Sequence, residues 1–200
     1  MSQTARHVVS SKPAAGGAVW SAPLGTKVPQ DATTALNQAF TALGYISEDG
    51  VKENGSISVT TIKAYGGATV LAIEGGNDVT YTFTPIEYDN PVVQRELYGQ
   101  DNVAVDDSGA LKSVKMADIQ HPERVYVFEH VLSNGVIERE VLPCAQVTGI
   151  GTNTHSSTAA LGPEVTLTPY PDAAGFKGYK YFAEAVATGR ADVSPAKEAK

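Results

Sequence analysis

The chain of 200 residues holds one cysteine, one tryptophan, few basic residues and no long apolar run, and each shortage removes a class of protein. Cys144 has no partner for an intrachain disulfide, and Val141-Leu142-Pro143-Cys144-Ala145 offers no base that would make it reactive, so it reads as a small buried hydrophobe. No window approaches the roughly 20 apolar residues of a membrane helix. The first 17 residues lack the apolar centre of a secretory signal, which predicts a soluble chain that starts in the cytoplasm. Fifteen Lys and Arg stand against 22 Asp and Glu, a net charge of -7, and they are scattered. A surface that coats DNA or RNA needs clustered cations to neutralise phosphate, so that class is excluded, whereas a surface that lets DNA pass is not.

Convergent chemistry is also missing. His7, His121, His130 and His155 fall in an arm, a turn, a strand and a loop, without metal-ligand spacing. Asp106-Asp107 and Glu48-Asp49 are acid pairs of the kind that cap their own turns. Gly149-Ile150-Gly151 and Gly66-Gly67 complete no phosphate-binding fingerprint, no GxxxxGK[ST] occurs, and no serine sits in a GxSxG elbow. The expectation is a protein with no catalytic residue, no cofactor and no metal.

What is present is short-range β patterning. Around Lys63–Gly99, Val70, Leu71 and Ile73 stop at Glu74-Gly75-Gly76-Asn77-Asp78, and Val79, Tyr81 and Phe83 then alternate with threonines, which predicts a hairpin turning at 74–78. Thr84-Pro85-Ile86-Glu87 carries an N-cap, a first-turn proline and a capping-box acid, so a helix is predicted over about 86–98, kinked or restarted at Pro91 and stopped by Gly99. A second helix is expected after Asp31, with Leu36, Phe40 and Leu43 on one side and Gly44 at its end. Val19–Pro23 reads as a strand. Asn102–Val105 and Leu111–Met116 form a hairpin, as do Arg124–Leu132 and Val136–Leu142 about Asn134-Gly135, and 164–168 is a last strand. The polar stretch 45–61 is either a hairpin with a poor first strand or an excursion away from the core. We expect the excursion, because Ser47-Glu48-Asp49 and Lys52-Glu53-Asn54 offer little to bury. Seven to nine short strands with one or two helices predict a mainly β fold, an antiparallel sandwich or barrel with a flanking helix.

Three pieces go beyond patterning: Trp20-Ser21-Ala22-Pro23-Leu24-Gly25-Thr26 with Pro29 and Asp31-Ala32-Thr33-Thr34-Ala35-Leu36; Phe40 to Val51, FTALGYISEDGV; and Thr80-Tyr81-Thr82-Phe83-Thr84-Pro85-Ile86-Glu87. Together they resemble the major tail protein, or tail tube protein, of long non-contractile bacteriophage tails, in particular those of actinobacterial phages. The likeness spans about Trp20 to Phe182, and Pro91 departs from it by interrupting what in the family is a continuous helix.

The resemblance implies a structural virion protein, made in the host cytoplasm, that forms six-membered rings stacked into a tube for DNA ejection. A single-ring tail terminator or distal-tail protein is the alternative on the same architecture. The implied partners are further copies of the chain, the tape measure, distal tail and terminator proteins, and DNA that passes without binding; no membrane is involved. Residues 1–18 would be an N-terminal arm, 19–182 the tube domain and 183–200 a C-terminal arm.

Within the domain, 45–61 would reach the adjacent ring through Ser47, Glu48, Asp49, Lys52, Glu53 and Asn54. Glu138, Glu140, Asp106 and Asp107 are the candidate lumen carboxylates. Trp20, Tyr88, Tyr98, Tyr179 and Tyr181 are the candidate subunit-interface residues, since a large ring with a polar tip suits such a surface. The acid excess supports a repelling bore: between Glu74 and Asp107 stand Glu74, Asp78, Glu87, Asp89, Glu96, Asp101, Asp106 and Asp107 against Arg95 alone.

Overall fold

In a computed structural model, which describes residues 7–184, the chain is mainly antiparallel β with one flanking helix. The strands are β1 (Ser11–Pro13), β2 (Val19–Pro23), β3 (Thr41–Ala42), β4 (Lys52–Lys63), β5 (Thr69–Phe83), β6 (Val103–Val105), β7 (Leu111–Val114), β8 (Arg124–Leu132), β9 (Val136–Ile150), β10 (Val165–Pro169) and β11 (Tyr179–Glu184). The helix α1 is Pro91–Tyr98. One sheet follows the order β3-β2-β8-β9-β10-β5-β4, with β1 also on β8 and β11 also on β9, while β6 and β7 pair separately.

The hairpin β8–β9 is the hub, and its tight turn at Asn134-Gly135 is the one the sequence predicts; Gly135 takes the positive φ of 85° that the turn requires. Strand β9 continues past Pro143, which has no N–H to donate, and changes partner there. Val136–Val141 pairs with β11, and Ala145–Ile150 pairs with β10. This change lets one strand serve two directions of sheet.

Strand β8 alternates strictly, and both faces are used. Tyr126 and Phe128 enter the main core with Tyr81, Phe83, Leu142, Val165, Leu167 and the helix residues Val93 and Leu97. Val125 and Val127 enter a second cluster with Ala22, Phe40 and Val141, covered by Trp20, Val28, Leu36, Tyr179 and Tyr181. Tyr81 stacks on Phe128 at 5.2 Å between ring centroids. Burying side chains of this size contributes about 1.5–3 kcal/mol each, so β8 is the centre of the fold energetically as well as topologically.

The flanking helix is shorter than its sequence suggests. It starts at Asn90, whose Oδ1 accepts from Val92 N at 2.9 Å, with Pro91 at the first helical position, and ends at Gly99 (φ 87°), whose N–H donates to Arg95 O. The earlier signal at Thr84-Pro85 starts no helix, because Thr84 O accepts from Ser47 N and Ile86 N donates to Tyr45 O, tying the segment down as extended chain. Glu87 likewise caps nothing. Its carboxylate lies where a Cβ on Gly44 would stand and accepts from Tyr45 N at 2.8 Å and Asn90 Nδ2 at 2.9 Å, which only glycine at position 44 (φ 72°) permits.

The helix expected after Asp31 is absent and the stretch is a string of turns. Asp31 does cap, accepting from Thr33 N and Thr34 N at 2.7 and 2.6 Å. The carbonyls of Asp31 and Thr34, which a helix would use itself, instead accept from the buried Arg139 guanidinium at 2.8 Å each, and Asn37 closes its own turn onto Ala39 N. Arg139 is held in turn by Glu129 across the β8–β9 ladder.

The break expected at 74–78 is also absent. Strand β5 runs through it opposite β4, with a bulge at the Ser58/Val59 register shift, and the hairpin turns at 64–68 through Ala64 N to Ala68 O and Gly67 N to Ala64 O. The stretch 52–61 is therefore strand, and yet it leads away from the core, since every residue of β4 is exposed.

Candidate functional site

The most unusual surface is the distal part of the β4–β5 hairpin. Only Tyr81–Phe83 of β5 pairs with β10, so beyond Val79 the two strands have no third strand beside them and no layer on either face. From Gly55, opposite Val79, to Lys63 such an arm extends about 26 Å at ~3.3 Å per residue. Paired residues share a face. Ile62 and Leu71 with Ile73 lie on one side of the outer arm, while Ile57 and Val59 lie on the other. These five and Val70 are each 46% to 63% exposed, and Tyr65 at the tip is fully exposed.

A lone two-stranded hairpin is marginal in water, and a long apolar edge strand is a template for pairing. The arm has the composition of something that becomes covered.

Its root is stapled to the body. Lys180 Nζ on β11 bonds Glu53 Oε2 at 2.5 Å and Glu140 Oε1 at 3.0 Å, Lys177 Nζ bonds Asn77 O at 2.6 Å, and Lys52 lies 3.8 Å from Glu164. Lys177 and Lys180 thus pair within their own chain. Burial pulls the Lys180 ammonium down, and Glu53 and Glu140 more than offset it, leaving it above the usual lysine range.

Beside the root lies an open cleft of about 730 Å³. It is lined by the 11–18 segment, by the 44–51 turn and by Glu53, Glu87, His130, Glu138 and Glu140. Glu48, Asp49 and Glu138 hold no hydrogen bond or ion pair among the described residues, and Lys12 is the lysine of the lining. The cleft therefore gathers six of the sequence-selected residues, Ser47, Glu48, Asp49, Glu53, Glu138 and Glu140. Lys52 and Asn54 stand on the arm.

Two groups here have shifted acidities of opposite consequence. Burial holds the His130 imidazolium below the ordinary histidine range, with Glu140 pulling it up and Lys180 down. The unfolded chain binds this proton at about pH 6.5 and the folded chain only lower, so His130 contributes stability that is complete above about 6.5 and lost as pH falls through its folded value. Burial, then Glu140, raises Glu138, whose contribution is complete below the unfolded carboxyl value and lost as pH rises through its folded value. A His130→Asn variant should accordingly lose less stability than the parent between about pH 7 and about pH 5.5. Urea midpoints across that range measure it, and parallel curves would show that His130 is not held neutral.

The remaining sequence-selected residues are dispersed. Asp106 and Asp107 stand exposed on the β6–β7 turn and are not in the cleft; Asp106 accepts from Ser108 N and Ala110 N, and the Ser108 hydroxyl followed by these amides holds its carboxyl below the usual range. Trp20, Tyr179 and Tyr181 cover the second cluster, the two tyrosines stacked at 6.2 Å and joined by Phe176. Tyr88 and Tyr98 lie by the helix, Tyr88 edge-on to His155. Cys144 is half-buried, and burial followed by Glu123 pushes its thiol up, which disfavours the thiolate.

Among the described residues no group of three or more His, Cys, Asp or Glu could hold a metal, and no helix is long and apolar enough to cross a membrane. Most of the expected C-terminal arm, 185–200, lies outside the described residues. The residues that sequence reasoning missed are the distal apolar residues of the arm and the pairing of Lys180. The alternation of Ile57, Val59 and Thr61 is the signal that could have placed the arm.

A family model described as phage tail tube protein matches residues 6–191 of the chain. A search of curated proteins returned no match.

Proposed function

The chain belongs to the phage tail tube protein family, and from that premise we propose that it polymerises as stacked hexameric rings forming the conduit through which DNA leaves the virion. A tail tube protein is a structural virion component and not an enzyme. The observation that carries the finer reading is the β4–β5 arm: about 26 Å of two-stranded sheet, with exposed aliphatic side chains on both faces and rooted by ion pairs, is a surface that a monomer does not use. We assign the arm to the contact between rings, with the 47–51 turn at its root. Trp20, Tyr179 and Tyr181 on one flank and Tyr88 and Tyr98 on another are assigned to contacts between neighbours within a ring. The placement in long non-contractile tails of actinobacterial phages rests on the likeness of the Trp20–Val51 stretch, and the tape measure, distal tail and terminator proteins are the partners it entails.

A bore that DNA must traverse end to end works by repulsion, since fixed cations would bind phosphate with steep salt dependence and stall it. The fold separates the two candidate lumen pairs. Glu140 is neutralised by Lys180 and shares a cleft with Glu138, whereas Asp106 and Asp107 are exposed, so we assign the bore to the β6–β7 turn.

Electron microscopy of the purified protein is expected to show tubes. Particles built with Asp106→Lys and Asp107→Lys should eject DNA more slowly, and more so at low salt than at high. Protein that remains monomeric at high concentration, even with the tail's initiating complex supplied, would overturn the polymer; unchanged ejection across that salt range would overturn the bore assignment.

A further inference from the structure

We infer that the tip of the arm, residues 63–68, docks in the acidic cleft at the arm's root on a second copy of the chain, so that one repeated contact propagates the polymer. This rests on the reading of the protein as a self-assembling tube subunit, and it names what the arm meets.

Reach comes first. Glu53 lines the cleft and Lys63 is ten residues further along the same strand, about 33 Å away at ~3.3 Å per residue. The hairpin is a continuous ladder from Lys52↔Thr82 to Lys63↔Thr69, so the tip of a chain cannot return to its own cleft without unzipping β4 from β5. Whatever cleft the tip enters belongs to another copy.

Charge and shape agree with that pairing. Lys63 is the lone base of the arm beyond Lys52, it is exposed, and it has no ion pair among the described residues. It is followed by Ala64, Tyr65, Gly66, Gly67 and Ala68, a narrow turn with one large side chain, entirely in solvent.

The cleft presents the complement. Glu48, Asp49 and Glu138 are unengaged carboxylates, and the facing wall at 14–18 is all alanine and glycine, open enough to admit a ring such as that of Tyr65. An ammonium and an aromatic ring entering an acidic, small-residue cleft make a complementary contact that also fixes register. Behind the tip, the apolar residues on both faces of the arm would lie against the body of the receiving copy and its neighbour, which explains why both faces carry exposed aliphatic side chains.

The symmetry consequence is specific. Tip and cleft are different surfaces of one molecule, so the contact is heterologous, and each copy that receives a tip offers its own tip onward. Between stacked rings such a contact does not close. It distinguishes a tube subunit from a protein that stops at a single ring.

The test is a disulfide between the two surfaces. In a Cys144→Ala background, Tyr65→Cys combined with Glu48→Cys is expected to give, after mild oxidation of assembled tubes, a ladder of covalent multimers that runs beyond six chains; neither single variant should pass a dimer. Tubes that form from the double variant and yield no ladder overturn the inference and leave assembly itself standing. Failure of the unmodified chain to assemble at all overturns the assembly reading instead. Lys63→Glu supplies an independent measurement on an exposed position: it should reduce polymer mass at least tenfold, and Glu48→Lys with Asp49→Lys should restore it. Elongation of Lys63→Glu at the parent rate overturns the inference.

Discussion

Replacing Ile57–Asn77 by Asn-Gly is expected to yield a folded monomer, within about 1 kcal/mol of the parent in stability, that makes no tubes at any concentration. The junction is chosen from the register. Ser56 and Asp78 are directly opposite, and a two-residue Asn-Gly turn matches the twist of such a pair. What is removed touches little of the body: the apolar side chains are exposed, and the root pairs of Lys180 with Glu53 and of Lys177 with Asp78 remain. Only the Lys177 bond to Asn77 O is lost, and an exposed bond of that kind contributes less than about 1 kcal/mol.

Loss of the joint is a different matter. Six aliphatic side chains that are about half exposed would each contribute on the order of 1 kcal/mol when covered, and that sum recurs at every subunit of a polymer. Negative-stain microscopy and sedimentation read the assembly, and a thermal melt reads the fold. Tubes of normal length from the shortened chain would remove the arm from the assembly contact, and a chain that fails to fold would return the arm to the core.

The way the arm hid in the sequence is instructive. Strand β5 contains Glu74-Gly75-Gly76-Asn77-Asp78, which in a buried sheet would be a turn, because glycine and aspartate pack nothing and oppose a ladder. On an arm with solvent on both faces nothing needs to be packed, and the extra glycine is absorbed as a bulge. Its partner β4 begins Lys52-Glu53-Asn54-Gly55-Ser56, equally poor in β formers, so two weak strands paired and neither announced the other. By contrast, β2, β8 and β9 were legible because one or both faces are buried and alternation is enforced.

The two helix errors have one cause. Asp31 caps its own turn, but no helix starts there or at Thr84, because the carbonyls and amides of both segments are claimed by Arg139, Tyr45 and Ser47, groups distant in sequence. The cleft was legible only as scattered acids. Glu53, Glu138 and Glu140 converge through β-sheet pairing, and Lys180 reaches them only because β11 lies against β9.

The largest single loss of fold stability is expected from Glu96→Ala, at about 3–5 kcal/mol, with a fall in melting temperature of roughly 10 °C for a chain of this size. Glu96 is a charged residue on the inner face of α1, 9% exposed, and its carboxylate is surrounded by donors on the sheet. Tyr126 Oη donates to Oε1, Ser21 Oγ donates to Oε2 at 3.2 Å, and Arg124 Nε is 3.3 Å from Oε2 while its other nitrogen reaches Ser21 Oγ. Burial, and then the neighbouring carboxylate, drives the Tyr126 hydroxyl well above the usual phenol range, so it stays a donor at every pH the protein meets. Truncation to alanine leaves the buried Tyr126 and Ser21 hydroxyls without their acceptor and Arg124 without its ion partner, and the cost is the desolvation of the orphaned hydroxyls more than the loss of the bonds themselves.

Two companion variants separate this account from simple loss of volume. Glu96→Gln keeps an acceptor and nearly the same shape and should cost about 1–3 kcal/mol. Tyr126→Phe added to Glu96→Ala should cost less than the sum of the two single changes, because the second removes an orphan created by the first. Denaturation midpoints with unchanged slopes give the four corners of the cycle. Strict additivity, or a Glu96→Ala penalty under about 1 kcal/mol, would mean that α1 is held by Val93 and Leu97 alone and that the carboxylate is an incidental passenger.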